Sequence, residues 1–279
     1  MEEQSTKNKG VAEGKVMSFW DHLEELRGHI FRSVAAVIVL AILAFLNRHI
    51  IFDTIILGPS TSHFITYTWL CKLGHLIHSP SLCISDLHLK IINIKMSGQF
   101  LTHMYISAVA GFILAFPYVL WEIWRFVQPA LHNNEKKYSR GGLLISTLLF
   151  LIGILFSFFF IVPITVNFLG TYSVSSDVAN QISLSSYINT VVSVTFAVGL
   201  VFELPILVYF LTSIGVVSPG LMKKNRKYMV VVLLVVAAII TPPDMFSQMM
   251  VFFPLWGLYE VSILVSKRVY KKRQQEADL

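Results

Sequence analysis

The sequence predicts an all-α integral membrane protein with six transmembrane helices, on three observations. Hydrophobic residues make up 55% of the 279 positions and charged residues only 14%, with mean hydropathy +0.67, too apolar a balance for an ordinary soluble domain. The apolar residues gather into six runs, at 30–46, 100–121, 142–162, 188–217, 228–240 and 249–265. Most Lys and Arg fall in alternate connections between those runs, so the net charge of +6 reads as membrane-flanking charge, with no nucleic-acid partner called for.

Residues 1–16 are rich in Glu, Lys, Gly and Ser/Thr and poor in large apolar groups, which predicts a disordered tail. They are too polar for a cleavable signal peptide, so the first run is expected to serve as its own insertion signal. Order is expected from Met17, with Ser18 capping a helix and Asp21 near its positive end. Phe19, Leu23, Leu26 and Ile30 recur at helical spacing, giving an amphipathic surface helix that runs into the first span. Glu24, Glu25 and Arg27 take its other face, where Glu24 and Arg27 are spaced to pair at i,i+3. The connection 47–99 holds both cysteines, Cys71 and Cys83, with His75 and His78 between them. A disulfide, two free thiols and a metal site are all open there, although the spacing matches no standard zinc pattern.

Pro117, Pro163, Pro205 and Pro254 should kink their spans, because proline removes a backbone donor and clashes with the preceding turn. Such kinks curve helices into a concave wall. Trp121, Trp124 and Phe126 suit an interfacial aromatic belt. The fifth and sixth runs are short, about 20 Å and 25 Å against a hydrocarbon core of roughly 30 Å, so they should thin the bilayer or be shielded from it. The basic segments are those before Ile30, at 122–141, at 218–227 and at 266–279; the connections 163–187 and 241–247 hold no Lys or Arg. The positive-inside rule then puts both termini in the cytoplasm, with a membrane domain at 17–267 and a basic tail at 268–279. Arg48, Lys72, Lys90 and Lys95 in the first outer connection blur the pattern, but long loops translocate largely regardless of charge.

Glu203 is the only charged residue between Asp177 and Lys223. An ionisable group inside a span carries a penalty of roughly 3 kcal/mol on insertion scales, which marks Glu203 either as a functional group or as a structural polar anchor. Phosphate-binding Gly-rich loops, His-Glu-x-x-His zinc motifs and Gly-x-Ser-x-Gly elbows are absent from the sequence, so no enzyme activity and no cofactor are expected.

Four strings occur together and in order. They are His22-Leu23-Glu24-Glu25-Leu26-Arg27, then Phe126-Val127-Gln128-Pro129-Ala130-Leu131 with Glu135, then Phe202-Glu203-Leu204-Pro205, and last Thr241-Pro242-Pro243-Asp244 with Phe246-Ser247-Gln248. They resemble the signatures of the TatC family, the multi-spanning subunit of the twin-arginine protein translocase, over about Phe19 to Lys267. The sequence departs from the family at Gly28 and His29, where further basic residues usually follow, and at Lys136-Lys137, where Arg is usual.

The resemblance implies a bacterial inner-membrane protein that receives folded precursors carrying twin-arginine signal peptides and supports their proton-gradient-driven export. It would work with single-span TatA and TatB partners, as a homo-oligomer in a Tat complex surrounded by membrane lipid. It assigns signal-peptide binding to Glu25, Glu135, Phe126 and Arg27, an intramembrane translocation role to Glu203, and partner binding to Thr241 and Gln248. A proton-coupled secondary transporter using Glu203 is the alternative, although such transporters often show two related halves and none is evident here.

Overall fold

Peptide groups that have no water to bond must satisfy one another, which inside a bilayer favours helices. The structure, a computed structural model, describes residues 19–76, 89–127, 139–175, 177, 180–242 and 244–277, and helices dominate it. The expectations for residues 1–16 and for the Ser18 cap lie outside the described residues.

The chain opens with α1 (Phe19–Leu46), continuous through Ile30, so surface helix and first span are one rod. A π-helical stretch (His49–Ile56) and a short 3-10 turn (Gly58–Ser60) lead to α2 (Ile65–Leu76). After the two-residue strand β1 (Ile91–Ile92), α3 (Gly98–Val127) forms the second span with Pro117 inside it. The third span is α4 (Ser139–Phe156), a π-helical segment (Ser157–Ile161) and α5 (Val162–Thr171). Its π segment ends just before Pro163, which lacks an amide donor to continue the ordinary ladder. Strand β2 (Ile182–Ser183) pairs in parallel with β1, tying the connection before α3 to the one after α5.

The fourth span breaks into α6 (Leu184–Val201) and α7 (Leu204–Ser213), with Phe202 and Glu203 in the gap. Pro205 supplies no N–H, and the Glu203 amide reaches back three residues, to the Leu200 carbonyl at 3.1 Å. Gly215 ends this span with φ 84°, and the Val216 amide bonds to the Leu211 carbonyl at 2.9 Å, a left-handed helix stop that glycine permits. A short α8 (Pro219–Lys224) precedes α9 (Arg226–Ile240) and the long α10 (Met245–Ala277).

Among the described residues five helical stretches are long and apolar enough to cross a membrane: Leu23–Leu46, Gly98–Phe126, Gly141–Thr171, Leu184–Ser213 and Met245–Gln275. The fifth predicted run falls in α9, which at 15 residues is about 22 Å long and short of a full crossing, as the run length implied. The sixth is short only as an apolar run. α10 has 33 residues, about 50 Å, because the Lys, Arg, Gln and Glu after Val265 are good helix formers with no Gly or Pro among them. Residues 268–277, expected as a tail, are therefore helix.

Small residues let the spans touch closely. A Cβ added at Gly111 would lie 2.5 Å from the Ala41 amide nitrogen, and one at Gly153 would lie 2.7 Å from the Phe202 ring. Between these contacts Phe116 stacks on Phe150 at 3.6 Å, and Phe112 meets Phe196 edge-on at 5.2 Å. At the end of the bundle where α1 finishes the Tyr67 hydroxyl lies 2.9 Å from both the Pro59 and Pro163 carbonyls, and Tyr187 donates to the Ile56 carbonyl at 2.8 Å. Burial, with Tyr187 nearby, pushes the Tyr67 hydroxyl well above its usual range, so it stays a donor.

Gly111→Val should drive α1 away from α3 and destabilise the protein by about 1–3 kcal/mol, read as a lowered Tm in detergent. Gly142→Val, where an added Cβ meets nothing within 4 Å, should leave Tm unchanged.

Candidate functional site

The end of the bundle where α1 begins and α3 finishes gathers most of the protein's titratable groups that face one another. α1 runs antiparallel to α3, and the close Ala41–Gly111 contact fixes their register. One helical face of α3 carries Gly111, Ala115 and Glu122, all buried, and it presents Glu122 to His29 of α1. Glu122 is 1% exposed and His29 is 4% exposed. His29 Nδ1 donates to Glu122 Oε2, Tyr118 donates to Glu122 Oε1 at 2.8 Å, and Arg32 Nε lies 3.8 Å from that same oxygen. Every hydrogen-bonding demand of this buried carboxylate is met from within the protein.

Glu25 is different. Its Oε1 lies 4.0 Å from His29 Nε2, and its Oε2 is buried without a hydrogen-bond partner among the described residues. The Phe126 ring meets the other side of His29 at 6.1 Å, edge to face. Beside them runs an apolar groove of about 390 Å³ between α1 and α3, lined by Leu26, Val34, Val119, Ile123 and Phe126. An unsatisfied carboxylate oxygen next to an apolar groove suits a ligand that joins a cation to an apolar segment.

Glu25 and Phe126 are thus brought together through His29. Glu135 lies outside the described residues. Arg27 is exposed, and the expected Glu24–Arg27 pairing does not form among the described residues, where the ion pairs involve other groups. Sequence reasoning missed Glu122 and His29. The apolar run ends at Trp121, which put Glu122 in a loop, whereas α3 continues to Val127. The signal that could have found it is periodic: Glu122 falls seven and eleven residues after the small residues Ala115 and Gly111.

Glu203, in the gap between α6 and α7, accepts a hydrogen bond from Ser146 of α4 through Oε2. Its Oε1 is buried with no partner among the described residues. Thr241, 6% exposed, donates to the Ala237 carbonyl at 2.9 Å, and Gln248 donates across to the Leu234 carbonyl at 3.1 Å, clipping α10 to α9. Asp244 caps α10 by accepting from the Ser247 amide at 2.6 Å. Cys71 is disulfide-bonded; Cys83, the only other cysteine, lies outside the described residues, as does His78. Among the described residues no three His, Cys, Asp or Glu side chains gather to hold a metal.

Comparison with known proteins gives one answer. The family described as Sec-independent protein translocase protein (TatC) matches residues 21–254. A Sec-independent protein translocase protein TatC from Blattabacterium sp. subsp. Periplaneta americana is 41% identical over 259 residues, covering 92% of this chain and 97% of the relative. The protein of that name from Carboxydothermus hydrogenoformans is 34% identical over 261 residues, covering 93% and 97%. A crystal structure of the twin arginine translocase receptor TatC in DDM superposes with TM-score 0.72 at 31% identity, covering 88% of this chain and 99% of that one.

Removing the Glu122 carboxylate leaves the buried His29, and the exposed Tyr118 hydroxyl, without their acceptor. Glu122→Ala should therefore destabilise the protein by about 2–3 kcal/mol in detergent unfolding, and Glu122→Gln, which keeps an acceptor oxygen, by clearly less.

Proposed function

The chain belongs to the TatC family, and from that premise we propose that Glu25 and Glu135 receive the paired arginines of a twin-arginine signal peptide at the cytoplasmic face. The protein is a component of the twin-arginine translocase and an integral protein of the bacterial inner membrane. The observation that carries the proposal is the buried Oε2 of Glu25, with no hydrogen-bond partner among the described residues, beside an apolar groove. A guanidinium is planar and permanently charged and bonds a carboxylate in bidentate fashion, whereas an ammonium is a point charge; acids in this position therefore favour Arg-Arg over Lys-Lys. Phe126 lines the groove for the apolar part of the signal, and Arg27, exposed one residue past Leu26, sits at its rim.

The basic segments flanking the spans support an orientation with both termini in the cytoplasm. TatA- and TatB-type single-span proteins are the partners of this reading, with the Thr241–Gln248 region as their contact and a homo-oligomer within the Tat complex. With no nucleotide-binding motif in the sequence, the driving force of the reading is the proton gradient. Glu203, held by Ser146 at a helix break, serves as a polar element of the translocation path. The alternative of a small-solute transporter using Glu203 has no support in the two relatives described above, both of which carry the translocase name.

Photo-crosslinking of the protein in membranes to signal peptides tests the reading. An Arg-Arg signal should crosslink at least roughly tenfold more than its Lys-Lys counterpart, and Glu25→Lys with Glu135→Lys should abolish capture. Equal capture of both peptides, or undiminished capture by the double variant, overturns it. Glu203→Gln should leave capture intact while lowering export of a reporter; full export would remove Glu203 from the translocation path.

A further inference from the structure

A second concave site lies at the far end of α10, formed with α8, and neither Glu25 nor Glu203 lines it. Its volume is about 490 Å³, in the range of small-molecule sites, and Ser218, Gly220, Lys223, Lys267, Tyr270 and Lys271 line it. Two contacts fix its walls. The Tyr259 hydroxyl donates to the Met222 carbonyl at 2.8 Å, clamping α8 to α10, and Thr212 donates to Ser266 at 2.9 Å, clamping α10 to α7. Lys223 therefore comes from one rigid element, and Lys267 and Lys271, one turn apart, from another. A Cβ added at Gly220 would meet nothing within 4 Å, so the wall there is open space rather than packed chain.

No acidic residue lines this pocket, and none of its three lysines is ion-paired among the described residues. The contrast with Arg226 is close at hand: that cation, two residues past α8, is matched by Glu260 at 2.6 Å. The protein supplies a counter-charge to the neighbouring cation and leaves these three without one. The site also has an apolar flank. Leu264, three residues before Lys267 on the same face of α10, is 60% exposed, and Leu221 of α8 is 50% exposed. Tyr270, 39% exposed, lines the pocket between Lys267 and Lys271, a residue type that suits a bilayer interface. Free phosphate would engage the lysines only, whereas a molecule with a phosphate head and acyl chains would use the lysines, Tyr270 and the apolar flank together.

We propose that the pocket between α8 and α10 binds the phosphate head group of an anionic phospholipid, with Lys223, Lys267 and Lys271 as its ligands and Leu264 and Leu221 against the acyl chains. The orientation proposed above places this lipid in the cytoplasmic leaflet, but binding itself does not depend on that orientation or on signal recognition.

Native mass spectrometry of the delipidated full chain, titrated with phosphatidylglycerol or phosphatidylcholine, tests this. Wild type should retain phosphatidylglycerol at least about tenfold more tightly than phosphatidylcholine, and Lys223→Gln with Lys267→Gln and Lys271→Gln should erase that preference. Lys90→Gln with Lys95→Gln, on the outer connection, should keep it. Lys267→Gln alone should give an intermediate loss, which keeps the test sound if the triple variant folds poorly. Equal retention of the two lipids by wild type, or an unchanged preference in the triple variant, overturns the proposal. Inorganic phosphate that displaces phosphatidylglycerol at comparable concentration overturns the lipid assignment and leaves a soluble-phosphate site.

Discussion

A carboxylate placed within a bilayer-spanning helix has to find its hydrogen bonds on another helix, because no water is there to supply them. Among the described residues Glu122, Glu203 and Glu260 each take such a bond from another helix, although one oxygen of Glu203 and one of Glu260 stay without a partner there. Glu122 of α3 holds His29 of α1, Ser146 of α4 holds Glu203 at the α6–α7 break, and Arg226 of α9 holds Glu260 of α10. The bundle is thus fastened as α1 with α3, α4 with the α6–α7 break, and α9 with α10. Between these polar fasteners the contacts are apolar and close, with glycine where backbone meets backbone, as at Gly111 and Ala41. Because lipid is as apolar as the core, close packing and polar pairing contribute the specificity that hydrophobic burial supplies in water.

Function follows from what the fasteners leave over. Glu122, fully engaged and 1% exposed, is structural, whereas Glu25, one turn before His29, keeps an oxygen with no partner among the described residues. His29 makes this division: its Nδ1 is committed to Glu122 and its Nε2 faces Glu25. At this position an imidazole is shared between two acids, one bonded and one at 4.0 Å. Glu203 has the same mixed character, with one oxygen held by Ser146 and the other unpartnered among the described residues, at a break where the helical ladder is already interrupted. The interruption follows from Pro205, which removes a donor where the span could otherwise have continued.

How much of this was legible in the sequence depends on the range of the signal. Long helices were legible because apolar runs of that length have few other uses, and the short fifth helix was legible from its run length alone. The family's signature strings singled out Glu25 and Phe126, and the structure brings both against His29. The three fasteners were mostly hidden, since each depends on a partner far away in the chain: 93 residues for Glu122, 57 for Glu203 and 34 for Glu260. Glu260 lies inside the sixth run, and nothing nearby shows that Arg226 comes down to meet it. The β1–β2 pairing was equally hidden, because two residues carry no periodicity. The length of α10 was hidden for a different reason. Hydropathy reports where the membrane stops, not where the helix stops, and Lys, Arg and Gln extend a helix readily into water.

The most direct measurement is a structure of the full chain with a twin-arginine signal peptide bound. The account predicts a signal guanidinium within hydrogen-bonding distance of Glu25 Oε2, the apolar part of the signal in the α1–α3 groove beside Phe126, and the Glu122–His29 and Glu203–Ser146 contacts unbroken. A guanidinium paired instead with Glu122 or Glu203, with Glu25 left unbonded, would contradict it.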